Sequence, residues 1–172
     1  MTAPNNHDDN KLVDAYNRMM ARIRDTIESA EASAAPTLQK AIDMAKKEAI
    51  HLSEITIEEA EEVGNYIKRD INDAAEYLME TSHEFSEWLM LDLEIIEQKV
   101  LELFLSVADK TRLELEQFAH PRCEIYEYHT GEVTGPGSLV CMDCGQMVHF
   151  NTTSHIPPCP KCHHTAFRRA DK

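Results

Sequence analysis

Residues 11 to 34 place Val13, Tyr16, Met20, Ile23, Ile27, Ala30 and Ala34 in alternating steps of three and four. That spacing lays a narrow apolar stripe along one side of a helix, the pattern of a coiled-coil seam. Pro36 interrupts it, because proline has no N–H to donate and restricts the residue before it. The stripe resumes with Leu38, Ile42, Ala45, Ala49 and Leu52. Alanine buries little area, so this arm is expected to hold less strongly. Thr56 and Glu59 spell a Thr-x-x-Glu capping box, which predicts a new helix from about Ile57. Its stripe runs Ile57, Ala60, Gly64, Ile67, Ile71, Ala74 and Leu78, then passes through Phe85 and Trp88. From Leu89 to Val107 the phase slips by four, which predicts a stutter or a break near residues 81–83. Trp88, the largest apolar group on the stripe, is expected to be at least partly buried. Asp109 can cap a last helix reaching about Ala119, ended by His120-Pro121.

After Pro121 the period changes. Before that point the chain has only Gly64, Pro4 and Pro36; the other four glycines and five prolines fall at or after it. Long unpunctuated helices followed by a turn-rich β module are the natural reading. Cys123, Ile125 and Tyr128 suggest a short strand leading to a turn at Thr130-Gly131, and Gly135-Pro136-Gly137 makes another turn. Strands are expected over Ser138 to Cys141, Gln146 to Phe150 and Thr165 to Arg169, with a hairpin turn at Asn151 to Ser154. The expected fold is mainly α: long acidic helices in a coiled-coil-like hairpin or bundle, followed by a small C-terminal β module. The divisions are an unstructured N-terminus over 1–10, an acidic helical region over 11–120 and the β module over 121–172.

Charge sharpens the division. Up to Pro121 there are 26 Asp and Glu against 12 Lys and Arg, and from Arg122 onward 5 against 5, so the whole net charge of −14 belongs to the helical part. Such a surface repels phosphate backbones and suits a basic protein partner. The densest stretch, 54–97, has 14 acidic side chains against Lys68 and Arg69. Glu58, Glu61, Glu62, Asp70 and Asp73 are its candidate docking residues, although acidic helix faces also occur merely to keep a protein soluble. No apolar run approaches membrane-spanning length, so no membrane association is expected, and homo-oligomerisation through the helices stays open.

Candidate chemistry lies near the C-terminus. Cys141-Met142-Asp143-Cys144 and Cys159-Pro160-Lys161-Cys162 are two Cys-x-x-Cys pairs fourteen residues apart. Each pair sets two sulfurs at adjacent corners of a tetrahedron, so Cys141, Cys144, Cys159 and Cys162 are expected to hold one Zn2+ per chain in a zinc ribbon. Gly145 follows the first pair where such a knuckle often needs positive φ. Disulfides are the competing reading, but Met1 to Asn10 is polar and acidic and does not resemble a signal peptide, which suggests a reducing, cytoplasmic compartment. Cys159-Pro160-Lys161-Cys162-His163 also spells a haem attachment site, a reading that leaves Cys141 and Cys144 without a role. His149, His155, His163 and His164 are alternative ligands, better read as surface or supporting groups where four thiolates are spaced for the metal. Cys123 is by default a small buried apolar residue. About fifty residues with few large apolar side chains hardly sustain a core, so the metal should supply much of the module's stability.

Asp70-Ile71-Asn72-Asp73-Ala74-Ala75 matches the Asp-x-x-Asp-x-Ala that transcription factors of the DksA type carry at a coiled-coil tip, but it falls within helical periodicity and not at an obvious turn. A broader likeness follows from Tyr128-His129-Thr130-Gly131-Glu132-Val133, Gly135, Gly137, Leu139-Val140-Cys141, Cys144, Cys159-Pro160-Lys161-Cys162 and Phe167-Arg168-Arg169. Together with Asp109-Lys110-Thr111 and the capped helix from Thr56, these make the chain resemble the bacterial YbeL-like zinc-ribbon-containing family over roughly residues 54 to 169. The resemblance implies a cytoplasmic helical region joined to a zinc ribbon and carries no reaction with it. His163 departs from common ribbons, which often have glycine after the second knuckle.

No Gly-rich phosphate loop or placeable Ser-His-Asp set is present, and four thiolates saturate zinc. The expected function is therefore a non-enzymatic interaction protein, with acidic helices as docking surface and a structural ribbon. The alternative is nucleic-acid binding or an RNA-polymerase-associated regulator of the DksA type, with Lys161, Arg168 and Arg169 as a thin basic footprint. A thiol enzyme using Cys123 or a labile Cys-x-x-Cys is the remaining class.

Overall fold

A computed structural model describes residues 6–29, 38–80 and 127–170 of the 172. Pro36, the expected phase slip near 81–83, Trp88, the cap at Asp109 with its helix to Ala119, and the strand positions Cys123 and Ile125 lie outside the described residues. Among the described residues three helices come first: α1 (Asn6–Ser29), α2 (Leu38–His51) and α3 (Ile57–Glu80). Six short strands follow: β1 (Tyr128–His129), β2 (Val133–Thr134), β3 (Gly137–Cys141), β4 (Met147–Phe150), β5 (Ser154–His155) and β6 (Ala166–Arg169). The described residues are thus mainly helical with a small sheet region, as the periodicities imply. Helix α1 starts at Asn6, inside the segment expected to be unstructured.

The helices pack as a three-membered bundle in which each touches the other two. Buried Ala15, Tyr16, Met19, Met20, Ile23 and Ile27 of α1 face Leu38, Ala41, Ile42, Ala45 and Ala49 of α2 and Ala60, Val63, Ile67, Ile71 and Ala74 of α3. Neighbouring positions on α1 (15 and 16, 19 and 20) are buried together. The apolar face is therefore wider than the narrow seam expected, because α1 has two helical neighbours and the sheet region to cover. Lys46 reaches Glu61 and Lys68 reaches Gln39, so α2 and α3 run antiparallel. Gly64 lets them approach, since a Cβ there would come within 2.9 Å of the Lys46 side chain.

The connection between α2 and α3 is built from local bonds. Glu54 N–H reaches the Ala49 carbonyl and Ser53 N–H the Ile50 carbonyl, with Ser53 at φ 55°, which is a Schellman closure of α2. Helix α3 opens with the expected capping box. Thr56 N–H donates to Glu59 Oε2 at 2.7 Å and Glu59 N–H to Thr56 Oγ1 at 3.2 Å. Two forked bonds of 2.8 Å from Arg22 to Glu54 tie this turn to α1 and hold the Glu54 carboxyl below its usual range.

The strands form a four-stranded antiparallel sheet in the order β1-β6-β3-β4 and a two-stranded piece, β2 with β5. The segment 151–154 expected to turn a hairpin instead leads from β4 into β5, which pairs with β2. Tyr128, Leu139, Phe150, Ile156 and Phe167 make the sheet's small core together with Cys141 and Cys159. Val133 of β2 belongs to the helical core instead. Strands β2 and β5 lie against α1, and β2 also against α3. Thr153 adds a 2.7 Å hydrogen bond to Asn17 of α1. Among the described residues, no helix is long and apolar enough to cross a membrane.

Candidate metal centre

Strand β3 ends on Cys141, and the chain turns back at once into β4. In this turn Cys141 N–H donates to the Gln146 carbonyl at 2.9 Å, and Gly145 N–H to the Cys141 carbonyl at 3.0 Å. Eighteen residues later the pattern repeats. Cys159 N–H reaches the His164 carbonyl and His163 N–H the Cys159 carbonyl, each at 2.9 Å. Gly145 and His163 occupy the same place in the two knuckles and share the left-handed region, at φ 69° and 61°. The turn fixes the backbone there whether or not the residue is glycine. A histidine accepts it at a cost of about 1 kcal/mol.

The two knuckles bring four sulfurs together, all within 4.8 Å of one another. Cys141 Sγ lies 3.5 Å from Cys162 Sγ, and Cys144 Sγ lies 3.6 Å from Cys159 Sγ, with all four cysteines free. A Zn–S bond of about 2.3 Å places tetrahedral sulfurs about 3.8 Å apart, close to these two separations, so the set suits a shared zinc. Protonation points the same way. Burial works to raise the Cys159 thiol, but N–H donors of Cys162 and Lys161 outweigh it and bring the thiol down to about 6. A His164 N–H favours the Cys162 thiolate, yet burial and the neighbouring sulfurs push that thiol up to about 12. Four thiolates this close repel unless a cation sits among them, and a divalent metal removes the conflict. No histidine enters the group; His163 and His164 are exposed.

The family described as zinc-ribbon containing domain matches residues 25–171. The chain belongs to that family. It is 26% identical over 160 residues to the protein YbeL of Escherichia coli strain K12, covering 93% of this chain and 96% of the relative. The same figures hold for YbeL of the O6:H1 strain CFT073 and of O157:H7. No solved structure matches the chain. The four-cysteine group of the sheet region fits the zinc-ribbon description of that family.

The remaining candidate residues fall into two groups. Glu58, Glu61 and Glu62 are exposed on the first turns of α3, with Glu61 paired to Lys46. Asp70 and Asp73 are not part of that surface. Asp70 is fully buried, and Asp73 retains only 10% of its side-chain exposure, because both face the ribbon and not solvent. Arg169, expected in a basic footprint, is buried as well. It donates to the Tyr128 hydroxyl at 3.0 Å and lies 3.6 Å from Asp70 and 3.5 Å from Asp73. Arg168, next along β6, is half-buried. Sequence reading missed Tyr16, Arg69, Tyr128 and Glu132, which complete this junction. Arg69 stacks 3.7 Å from the centre of the Tyr128 ring and pairs with Glu132. Buried aromatic hydroxyls and arginines at the edge of an acidic helix were the available signal, without a register to join them.

Proposed function

We propose that this protein is a non-enzymatic interaction protein. One Zn2+ per chain, held by Cys141, Cys144, Cys159 and Cys162, keeps the ribbon folded, and the acidic helical face docks a basic protein partner. When bound, the metal supplies a fixed cross-link between the two knuckles. Four protein sulfurs leave it no open position at which a substrate or water would be activated, which is the observation that favours structure over catalysis. Glu58, Glu61 and Glu62 offer three exposed carboxylates within the first turns of α3, in the most acidic part of the chain. Their field suits an approaching basic surface and acts mainly on the rate of association.

The alternative, a nucleic-acid-binding or RNA-polymerase-associated regulator of the DksA type, has less to stand on. The Asp70 tetrad lies mid-helix under the ribbon, and the footprint at Lys161, Arg168 and Arg169 loses its buried member. Affinity capture from the native lysate separates the two readings. Wild-type chain, a Glu58→Lys/Glu61→Lys/Glu62→Lys variant and a Lys161→Ala/Arg168→Ala variant are compared with and without nuclease, at low salt and above about 0.15 M, where screening shortens to roughly 8 Å. Docking by the acidic face predicts salt-sensitive capture of a basic protein that the first variant loses and the second keeps. Nuclease-sensitive capture lost only by the second variant overturns it.

A further inference from the structure

The ribbon and the helices meet over a buried polar face that neither the metal nor the acidic surface uses. Asp70 Oδ2 accepts the Tyr16 hydroxyl of α1 at 2.7 Å, the Gly135 N–H at 2.7 Å and the Thr134 hydroxyl at 3.2 Å. Its other oxygen lies 3.6 Å from Arg169 of β6 and 3.5 Å from Arg69, its neighbour on α3. Three of these five partners come from the ribbon. Almost one turn further along α3, Asp73 accepts the Tyr128 hydroxyl of β1 and faces Arg169. Arg69 points the opposite way, from α3 into the ribbon, where it donates to the Val133 carbonyl at 3.4 Å and to Glu132. A carboxylate sealed from water is tolerable only while such donors surround it. The donors, in turn, ride on a small sheet whose geometry ends at the knuckles: Cys141 pairs across the sheet with Phe167, two residues before Arg169.

We infer that Asp70, Asp73 and Arg169 form a latch through which the metal held by the ribbon governs the packing of α1 and α3. The inference rests on the zinc reading of the four cysteines. With the metal bound, the ribbon presents Arg169, Tyr128, Thr134 and the Gly135 N–H in place, and α3 buries its two carboxylates against them. Without it, a module with so small an apolar core loses its fold, because metal binding and folding are one equilibrium there. Asp70 then loses three of its five partners and keeps only Tyr16 and Arg69, and burial of α3 against α1 becomes unfavourable unless that face opens to water. Helices and ribbon thus behave as one metal-dependent unit, where two independent modules would melt separately.

The test follows the helical circular dichroism of the full chain on heating, zinc-loaded and after excess chelator, with the zinc content of each sample measured. Chelation is expected to lower the helical midpoint of the wild type by on the order of 10 °C. In Asp70→Asn the same treatment should lower it by less than about a third as much, since the link is already cut. Should that variant fail to fold, Asp73→Asn with Tyr128→Phe decides, with the same reduced response expected at a more peripheral part of the latch. Zinc lost with no change in the wild-type midpoint would overturn the latch while leaving the zinc reading intact. A full response in the folded variants would also overturn it, by assigning the coupling to Val133 or to the Thr153–Asn17 bond. Protein that binds no zinc sinks the zinc reading and the latch together.

Discussion

Asp70 and Asp73 lie three positions apart on one helix and are held differently. Asp70 is ringed by donors, whereas Asp73 has the Tyr128 hydroxyl and Arg169. Burial dominates at Asp73 and, despite Arg169, raises its carboxyl to about 6 from 3.8. A carboxyl raised in the folded state contributes stability that is complete below about pH 3.8 and is lost as pH rises through about 6. Urea unfolding should therefore show the wild type losing up to about 3 kcal/mol across that window relative to Asp73→Asn, whose profile should lack this loss. A second residue-scale prediction concerns His163, held at φ 61°. His163→Gly should relieve the left-handed strain and strengthen the ribbon by about 1 kcal/mol, read as slower zinc loss to a competing chelator. The positive φ of Gly145 was visible in sequence from its place after a knuckle. That Asp70 and Asp73 are buried was not, because one acidic residue in an acidic helix looks like every other until its partner is known.

Local signals marked the elements well where the bonds that make them are local. The capping box of Thr56 and Glu59 forms as spelled, since both of its bonds join residues three apart. Thr56→Ala should cost about 1 kcal/mol of stability by thermal or urea unfolding, as loss of an N-cap usually does. Ser53, in the left-handed position of the Schellman closure, is the opposite case. Ser53→Gly should stabilise by about 0.5–1 kcal/mol in the same assay, and a destabilised variant would contradict the closure described. The stripe itself misplaced its ends. Leu52 and Ile57, expected to be apolar contacts, are 52% and 62% exposed. One stands at the last residue before the reversal and the other on the first turn after the cap, where the chain has already turned away from the helix axis that the period assumes. Ile55, between them and outside either stripe, is buried instead.

At the scale of the whole molecule, the sequence separated helices from ribbon by charge and by glycine and proline content, and both parts exist. Their junction was illegible because its bonds join residues 54 or more positions apart, such as Tyr16 with Asp70 and Asp70 with Gly135. No periodicity or spacing carries such a pairing. The ribbon's own metal set was legible for the opposite reason: two identical turns each fix their sulfurs locally, and only one long-range step brings the turns together. The account stands or falls on that set. X-ray absorption at the zinc edge of gently purified full chain measures it most directly. Four sulfur neighbours at about 2.3 Å around one zinc per chain, lost in a Cys141→Ser/Cys162→Ser variant, is the predicted result. A mixed nitrogen and sulfur shell drawing on His163 or His164, or protein without zinc, would contradict it.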